Sequence, residues 1–167
     1  MPEFEYKQIE DESYCLMGYR GEETSVDIPA VHWGSAVTVL YYDLFKGHNE
    51  ITEIHIPEGI TDLGGAVFDG CTSLHRLKLP NSLRNLWQYA FARCSLEEIT
   101  IPGNVTFVPP FTFQDCKNLK RVFCETGVKE ISALAFEGCD ALEEIICGKD
   151  TRLDIKKLDP TIKVTRL

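Results

Sequence analysis

Residues 90–102 read AFARCSLEEITIP, and the same pattern recurs along most of the chain. The phenylalanine of this stretch has counterparts at steps of 22 or 23 residues, and the series comprises Phe45, Phe68, Phe91, Phe113 and Phe136. One unit of this length cannot bury its own apolar side, so it has to stack on its neighbours to form a core. The sequence therefore predicts a repeat array in which most recurring residues serve packing.

Each unit also contains a short segment in which apolar and other residues alternate. These segments are residues 54–56, 77–79, 99–101, 122–124 and 145–147. Alternation with period two and enrichment in β-branched residues indicate a strand. Pro57, Pro80 and Pro102 end three of the segments, because proline has no N–H to donate to a strand ladder. We therefore predict one short parallel β-strand per repeat of about 23 residues.

The motifs Ala90-Phe91-x-x-Cys94 and Leu96-x-x-Ile99-x-Ile101-Pro102 resemble those of the BspA-like leucine-rich repeats (LRR type 5). The resemblance covers roughly residues 26–148. It implies an α/β repeat solenoid, a right-handed leucine-rich-repeat superhelix of about five coils with turns or short helices on its convex side. Residues 1–25 resemble the N-terminal entry of that family and are expected to form a capping β-hairpin. Residues 149–167 are expected to form a C-terminal cap with a closing strand.

Charge and composition narrow the classes of partner. The chain has 167 residues, 44% of them hydrophobic, and a net charge of −9. This composition fits one domain, and the acidic balance disfavours nucleic acid and anionic membranes as partners. The tail is the exception, because basic residues outnumber acidic ones there, and it is interpreted as a cap or alternatively as a basic docking patch. The basic residues are Lys149, Arg152, Lys156, Lys157, Lys163 and Arg166.

The compartment stays open. The chain begins Met1-Pro2-Glu3-Phe4-Glu5 and shows neither a signal peptide nor an apolar run long enough to cross a bilayer, so no membrane insertion is expected. If the sequence is complete, these features and free cysteines favour the cytoplasm. If a leader has been removed, the family resemblance implies the cell surface or secretion.

The seven cysteines are predicted to be free thiols. There is no Cys-x-x-Cys motif and no pair of ligands at zinc spacing, so neither a metal nor another cofactor is expected. A regular column of cysteines is expected inside the solenoid, where a small apolar side chain fits, and it comprises Cys71, Cys94, Cys116 and Cys139. Cys15 lies outside the repeats, and its thiol or disulfide state stays open.

Strands that stack in register bring equivalent residues into outward columns. The first column begins with a serine and then alternates in charge, and it comprises Ser25, Glu53, Arg76, Glu98, Arg121 and Glu144. It is interpreted as a stabilising ion-pair ladder or as a docking surface. The second column becomes apolar towards the C-terminus, and it comprises Asp27, His55, Lys78, Thr100, Phe123 and Ile146. Its two apolar residues either form an exposed patch or are covered by the C-terminal tail. Asp27 beside His55 indicates a surface hydrogen bond rather than a metal site.

Two tryptophans lie outside these columns. Trp33 is in the extra residues of the first coil and is expected to fold over the open N-terminal end of the solenoid. Trp87 precedes Tyr89-Ala90-Phe91 and is expected to pack on the convex side. The alternative for both tryptophans is an exposed anchor for a ligand.

A non-enzymatic, protein-binding scaffold is the predicted function. An open sheet offers no enclosed site for converging catalytic groups, and no catalytic motif is present. The resemblance implies recognition of a protein, and adhesion to a host or another surface. The alternative is a structural or self-associating module, with another copy of the chain as its partner and no foreign ligand. The predicted binding residues are Glu53, His55, Arg76, Lys78, Glu98, Thr100, Arg121, Phe123, Glu144 and Ile146.

Overall fold

A computed structural model describes residues 1–167 and shows a β-solenoid of parallel strands. Its strands are β1 (Glu3–Gln8), β2 (Tyr14–Arg20), β3 (Ser25–Asp27), β4 (Val31–His32), β5 (Ser35–Leu40), β6 (Glu53–His55), β7 (Asp62–Leu63), β8 (Arg76–Lys78), β9 (Asn85–Leu86), β10 (Glu98–Ile101), β11 (Phe107–Val108), β12 (Arg121–Cys124), β13 (Glu130–Ile131), β14 (Glu144–Cys147) and β15 (Lys163–Arg166). Two 3₁₀ helices span Ala133–Phe136 and Ile155–Lys157. No helix is long and apolar enough to cross a membrane.

The first sheet contains the strands predicted from the alternating segments. It consists of β3, β6 and β8, followed by β10, β12, β14 and β15, all parallel. The predicted parallel strand of each repeat is confirmed. Seven strands line this side, more than the five expected coils, because Ser25–Asp27 and Lys163–Arg166 add one strand at each end.

A second sheet, which the sequence analysis did not predict, forms another side of the solenoid. It consists of β2, β5, β7 and β9, followed by β11 and β13, and an isolated bridge joins Glu130 to Arg152. Most of its strands within the repeats have only two residues, so they are too short to show alternation in the sequence.

The third side is formed by tight turns around the recurring phenylalanines. The residue two positions before most of these phenylalanines has a positive φ, at Asp43, Ala66, Tyr89 and Phe111. The residue two positions after each also has a positive φ, at Gly47, Gly70, Arg93, Asp115 and Gly138. Such left-handed residues break any helix. The expected α/β class and short helices are therefore not confirmed, since this side has turns and one 3₁₀ helix.

The phenylalanines form a continuous internal stack. Successive rings have centroids 5.6, 5.5, 5.4 and 5.9 Å apart and are nearly parallel. Phe45, Phe68, Phe91 and Phe113 have no exposed surface, and Phe136 is also buried. Each ring therefore packs mainly on the equivalent ring of the next coil, which couples neighbouring repeats through apolar burial and aromatic contact.

The cysteine column has a polar role as well as a packing role. Each thiol donates to the carbonyl of the phenylalanine in the preceding coil, with Sγ–O distances of 3.0, 3.2, 2.9 and 3.0 Å for Cys71, Cys94, Cys116 and Cys139. All seven cysteines are free and buried. Burial raises the pKa of Cys71 to about 12 and that of Cys94 well above its ordinary value. Cysteine fits here because it is small and carries a weak donor.

Both sheets are interrupted at the same level of the stack. No backbone hydrogen bond joins β8 to β10 or β9 to β11. The corner of this coil is one residue shorter than elsewhere, since Ser95 alone separates Cys94 from Leu96 where other coils have two residues. In addition, Pro109 stands where Gly64 and Ser132 donate N–H groups to the preceding coil. The short corner and the missing donor together leave these strands unpaired.

The N-terminal end of the solenoid is closed by an antiparallel strand. At the N-terminus β1 pairs antiparallel with β2, and the Tyr19 ring packs on Phe4 and Phe45 with centroids 5.5 and 5.0 Å apart. The expectation that Trp33 covers this end is wrong, because its side chain is 88% exposed. Trp33 and Gly34 both have positive φ in the two-residue turn between β4 and β5, and this turn projects the indole outward.

Replacement of one ring in the phenylalanine stack tests how much the stack contributes to the free energy of unfolding. We expect Phe91→Ala to lower the free energy of unfolding by about 3–5 kcal/mol, because it leaves a cavity between two neighbouring rings. The matched control is Phe107→Ala, since Phe107 is 43% exposed and should cost less than about 1 kcal/mol. Urea denaturation followed by circular dichroism measures both variants. Equal losses in the two variants would show that the stack does not dominate stability.

Candidate functional site

The ten predicted binding residues all lie on the outward side of the first sheet. We call this surface the ladder face and define it by Glu53, His55, Arg76, Lys78, Glu98, Thr100, Arg121, Phe123, Glu144 and Ile146. Between the two outward residues of each strand stands an inward apolar one, such as Ile99 or Val122, which is buried in the core. Alternation along each strand therefore places the members side by side.

The charged column is a continuous ion-pair ladder only in its C-terminal half. Arg121 contacts Glu98 at 3.1 Å and Glu144 at 3.8 Å, and Lys163 on β15 contacts Glu144 at 3.7 Å. Arg76 forms no ion pair. Its register neighbour Glu53 on β6 contacts His55 instead, and on the other side β8 is not paired with β10. The ladder predicted over the whole column thus begins at Glu98, and it extends by one lysine beyond the predicted column.

Glu144 is the electrostatic centre of this ladder. Its carboxylate accepts a hydrogen bond from Thr165 on β15 and lies between the cationic groups of Lys163 and Arg121. The hydrogen bond from Thr165, and then the two positive charges, hold the pKa of Glu144 below its ordinary value. The carboxylate therefore stays ionised under mildly acidic conditions.

The apolar end of the second column is not covered by the C-terminal tail. Strand β15 pairs with β14 in the plane of the sheet, so Thr165 lies beside Ile146 rather than over it. Phe123 and Ile146 are neighbours in register and are each half-buried. They form a small apolar strip with Thr100 on one flank and Thr165 on the other.

Two open grooves cross the ladder face, one on the N-terminal side of the sheet interruption and one across the interruption. The groove near β6 and β8 has a volume of about 750 Å³ and includes His55, His75 and Arg76 in its lining. The other has a volume of about 370 Å³ and includes Lys78 and Phe123. Each groove combines charged side chains with apolar strand residues.

The histidine at the N-terminal end of the ladder face has a different partner from the predicted one. Asp27 and His55 are neighbours in register, but the ring nitrogen of His55 lies 3.6 Å from Glu53 on its own strand. No three His, Cys, Asp or Glu side chains are grouped so that they could hold a metal ion.

An aromatic cluster on the second-sheet side is a feature that the sequence analysis missed. Trp87 is 59% exposed, so the expectation that it packs on the convex side is wrong. Tyr42, Tyr89 and Phe107 are also exposed and line one groove with Trp87. The signal available in the sequence was a local excess of aromatic residues at repeat positions that are small or polar in the preceding coil, such as Gly64 and Ala66.

Comparisons with known proteins agree with this architecture. A family model described as the BspA type leucine rich repeat region matches residues 38–157 in six copies. No curated protein sequence matches the chain at a significant level.

Solved structures of three bacterial proteins share the fold. A leucine rich cell surface protein from Faecalibacterium prausnitzii A2-165 has a TM-score of 0.77 and 24% identity, over 86% of this chain and 38% of its own. A leucine rich repeat protein from T. pallidum has a TM-score of 0.68 and 24% identity, over 98% and 97%. A leucine-rich repeat protein from Bacteroides ovatus has a TM-score of 0.62 and 23% identity, over 99% and 52%. The chain thus spans well under two thirds of the first and third of these proteins.

The surroundings of Glu144 predict a specific dependence of stability on pH. The pKa of Glu144 is lower in the folded state than in the unfolded state. Its ionised carboxylate therefore contributes fully to the free energy of unfolding above the unfolded-state pKa, and this contribution is lost as the pH falls through the folded-state pKa. We expect Glu144→Gln to lower the urea midpoint at about pH 7. We also expect the urea midpoint of this variant to decrease less than that of the wild type between about pH 5 and pH 3.

The matched control for this prediction is Glu143→Gln, which makes the same charge change at an exposed neighbour that forms no ion pair. Urea midpoints of both variants and of the wild type are compared across the same buffers. If the two substitutions had the same effect at every pH, the local contacts of Glu144 would contribute nothing to stability.

Proposed function

The chain belongs to the BspA-type leucine-rich repeat family, and we propose that it is a non-enzymatic scaffold that binds a protein on its ladder face. The observation that carries this proposal is the register of the outward side chains within each of the two exposed parts of the first sheet, β6 with β8 and β10 with β12 and β14. Such a surface presents side chains at fixed spacing, so a partner can be recognised by pattern without a deep pocket.

The distribution of polarity on the ladder face supports binding to a protein. Phe123 and Ile146 form an apolar strip, and Arg121 and Glu144 stand beside them as a charged border. Protein interfaces commonly combine a less polar centre with a polar rim, and they depend on a few aromatic or arginine anchors. In this proposal Phe123 and Arg121 are the main anchors, and His55, Lys78 and Glu98 select the partner.

A non-enzymatic role is proposed because the three acidic residues of the ladder face, Glu53, Glu98 and Glu144, all pair with neighbouring side chains. Arg121 and Lys163 pair with Glu98 and Glu144, and His55 pairs with Glu53. Catalysis would require a nucleophile, a base and an orienting group that converge on a reacting atom. The pairs on this face are instead distributed along the sheet at the spacing of the strands.

Surface adhesion is the finer part of the proposal. One structural relative is described as a cell surface protein from Faecalibacterium prausnitzii, and the family likeness extends over most of the present chain. A ladder face directed away from a cell would suit contact with a protein on another surface.

Self-association is the second candidate function. The outer edge of β15 has no strand partner, and exposed strand edges favour pairing between chains. Lys163 and Thr165 on this edge continue the two columns of the ladder face, so a second copy would extend the same pattern.

The substitution Phe123→Asp tests the proposed face. A photoreactive residue placed at Thr100, which is exposed and next to Phe123 in register, should cross-link a discrete set of proteins from an extract of the source organism. We expect Phe123→Asp to abolish these adducts and to change the free energy of unfolding by no more than about 1 kcal/mol. Mass spectrometry of the adducts gives the measurement.

Two controls accompany this experiment. Phe107→Asp makes the same change on the second sheet and should leave the adducts intact, and a photoreactive residue at exposed Asn118 should not capture the same set. Adducts that persist in Phe123→Asp would contradict the proposal. A wild-type dimer in light scattering that Phe123→Asp converts to a monomer would favour self-association.

A further inference from the structure

A third groove lies at the sheet interruption, on the side away from the ladder face. It lies between β9 and β11, where the two strands are unpaired, and has a volume of about 740 Å³. Its lining includes Tyr42, Arg84, Trp87, Tyr89, Phe107 and Pro110. We call this surface the aromatic groove.

The fold does not require aromatic residues at these positions. The position of Trp87 is occupied by Gly64 in the preceding coil, and that of Tyr89 by Ala66. The outward position of Phe107 on the second sheet is held by Asn85 in one neighbouring coil and by Glu130 in the other. In the next coil the position of Tyr89 is held by Phe111, which is also aromatic. The preceding coil forms the same turn with Gly64 and Ala66, so packing of the repeat does not require Trp87 or Tyr89.

Tyr89 is held at the groove by its backbone conformation and by a second aromatic ring. Its φ is 61°, in the left-handed region that a bulky side chain rarely adopts. Its ring stacks on that of Phe111, with centroids 5.3 Å apart and planes 14° apart, and Phe111 is itself left-handed. This φ belongs to the repeat, because Asp43 and Ala66 are left-handed at the equivalent position. The feature particular to this site is the stacked pair of aromatic rings, of which Tyr89 lines the groove.

The polar groups of the aromatic groove define the kind of ligand it fits. Its lining has no carboxylate, and Arg84 is exposed and forms no ion pair. The indole N–H of Trp87 and the guanidinium of Arg84 are donors only, and the other polar side chains, Asn85, Gln88 and Thr106, are neutral. Because Arg84 is the only charged group of the lining, a cationic ligand is disfavoured, and a ligand with carbonyl acceptors and a nearby negative charge is favoured.

The space between the strands excludes insertion of a further β-strand. Cα atoms of β9 and β11 lie within 8 Å of one another, whereas an intervening strand would require about 9.6 Å, twice the usual strand separation. A peptide ligand must therefore lie across the aromatic side chains instead of joining the sheet.

We propose that the aromatic groove binds a proline-rich segment of a partner protein in the polyproline II conformation. Such segments have flat apolar rings, no proline N–H and fully solvated carbonyls, and they dock in grooves lined by aromatic side chains. Trp87 donates to a ligand carbonyl, the faces of Tyr42 and Phe107 pack on prolines, and Arg84 contacts an acidic residue beside the proline run. This proposal does not depend on the function of the ladder face.

Calorimetric titration with a blocked peptide of ten prolines and a terminal glutamate tests the proposal. We expect wild-type protein to bind this peptide, and Trp87→Ala to weaken binding at least tenfold, as for a tryptophan anchor. The matched control is Trp33→Ala, because Trp33 is the other tryptophan and is 88% exposed at the N-terminal end. This control should bind within twofold of the wild type, and so should Phe123→Asp.

Two further comparisons isolate the chemistry of the ligand. Arg84→Gln should weaken binding of the glutamate-tailed peptide and leave binding of an uncharged decaproline amide unchanged. A glycine–serine peptide of equal length with the same terminal glutamate should not bind. Circular dichroism verifies that each variant is folded.

Several results would overturn the proposal. One is that the wild type does not bind the proline peptide at millimolar concentration. The others are that Trp87→Ala binds this peptide as tightly as the wild type does, or that the wild type binds the glycine–serine peptide. Binding of a neutral glucan hexasaccharide that Trp87→Ala abolishes, without binding of the proline peptide, would assign the groove to carbohydrate. A wild-type dimer in light scattering that only Trp87→Ala dissociates would assign it to a second copy of the chain.

Discussion

Stacking of one coil on the next, through the buried phenylalanine rings and the cysteine thiols that donate to the phenylalanine carbonyls, is the interaction on which the structure depends. No coil has enough apolar surface to fold alone, so the stack determines how far apart equivalent residues lie. The strand ladders of both sheets follow this spacing. The outward side chains then form columns because the strands beneath them are in register.

The sequence predicted the elements that repeat strongly and missed those that are short or that occur once. Alternation over three residues identified the first sheet, whereas the two-residue strands of the second sheet carry too little pattern to be recognised. Arg76 was expected to pair, but the absence of one residue beside Ser95 interrupts the ladder next to it. Trp33 and Trp87 were assigned to packing because large apolar side chains are usually buried, and local turns place both at the surface instead.

The two candidate surfaces differ in how they relate to the repeat. The ladder face follows the period of the solenoid, since each coil adds one charged and one variable residue to the same sheet. The aromatic groove is a local departure from that period, because it lies where one coil is shortened and Pro109 removes a donor. A regular stack thus carries one extended surface and one single site on different sides, and each can change without disturbing the other.

The buried thiols have a consequence for the conditions under which this protein can function. A cysteine whose pKa is raised to about 12, as for Cys71, has almost no thiolate near neutral pH, and the thiolate is the form that reacts with disulfides and oxidants. Cys124 has a similarly raised pKa because of burial. Burial also raises the pKa of Cys94 well above its ordinary value, whereas the contact with Cys116 lowers the pKa of Cys139. The buried thiols with a raised pKa therefore react slowly as long as the coils stay stacked. Free cysteines at such positions are compatible with an oxidising environment as well as with a reducing one.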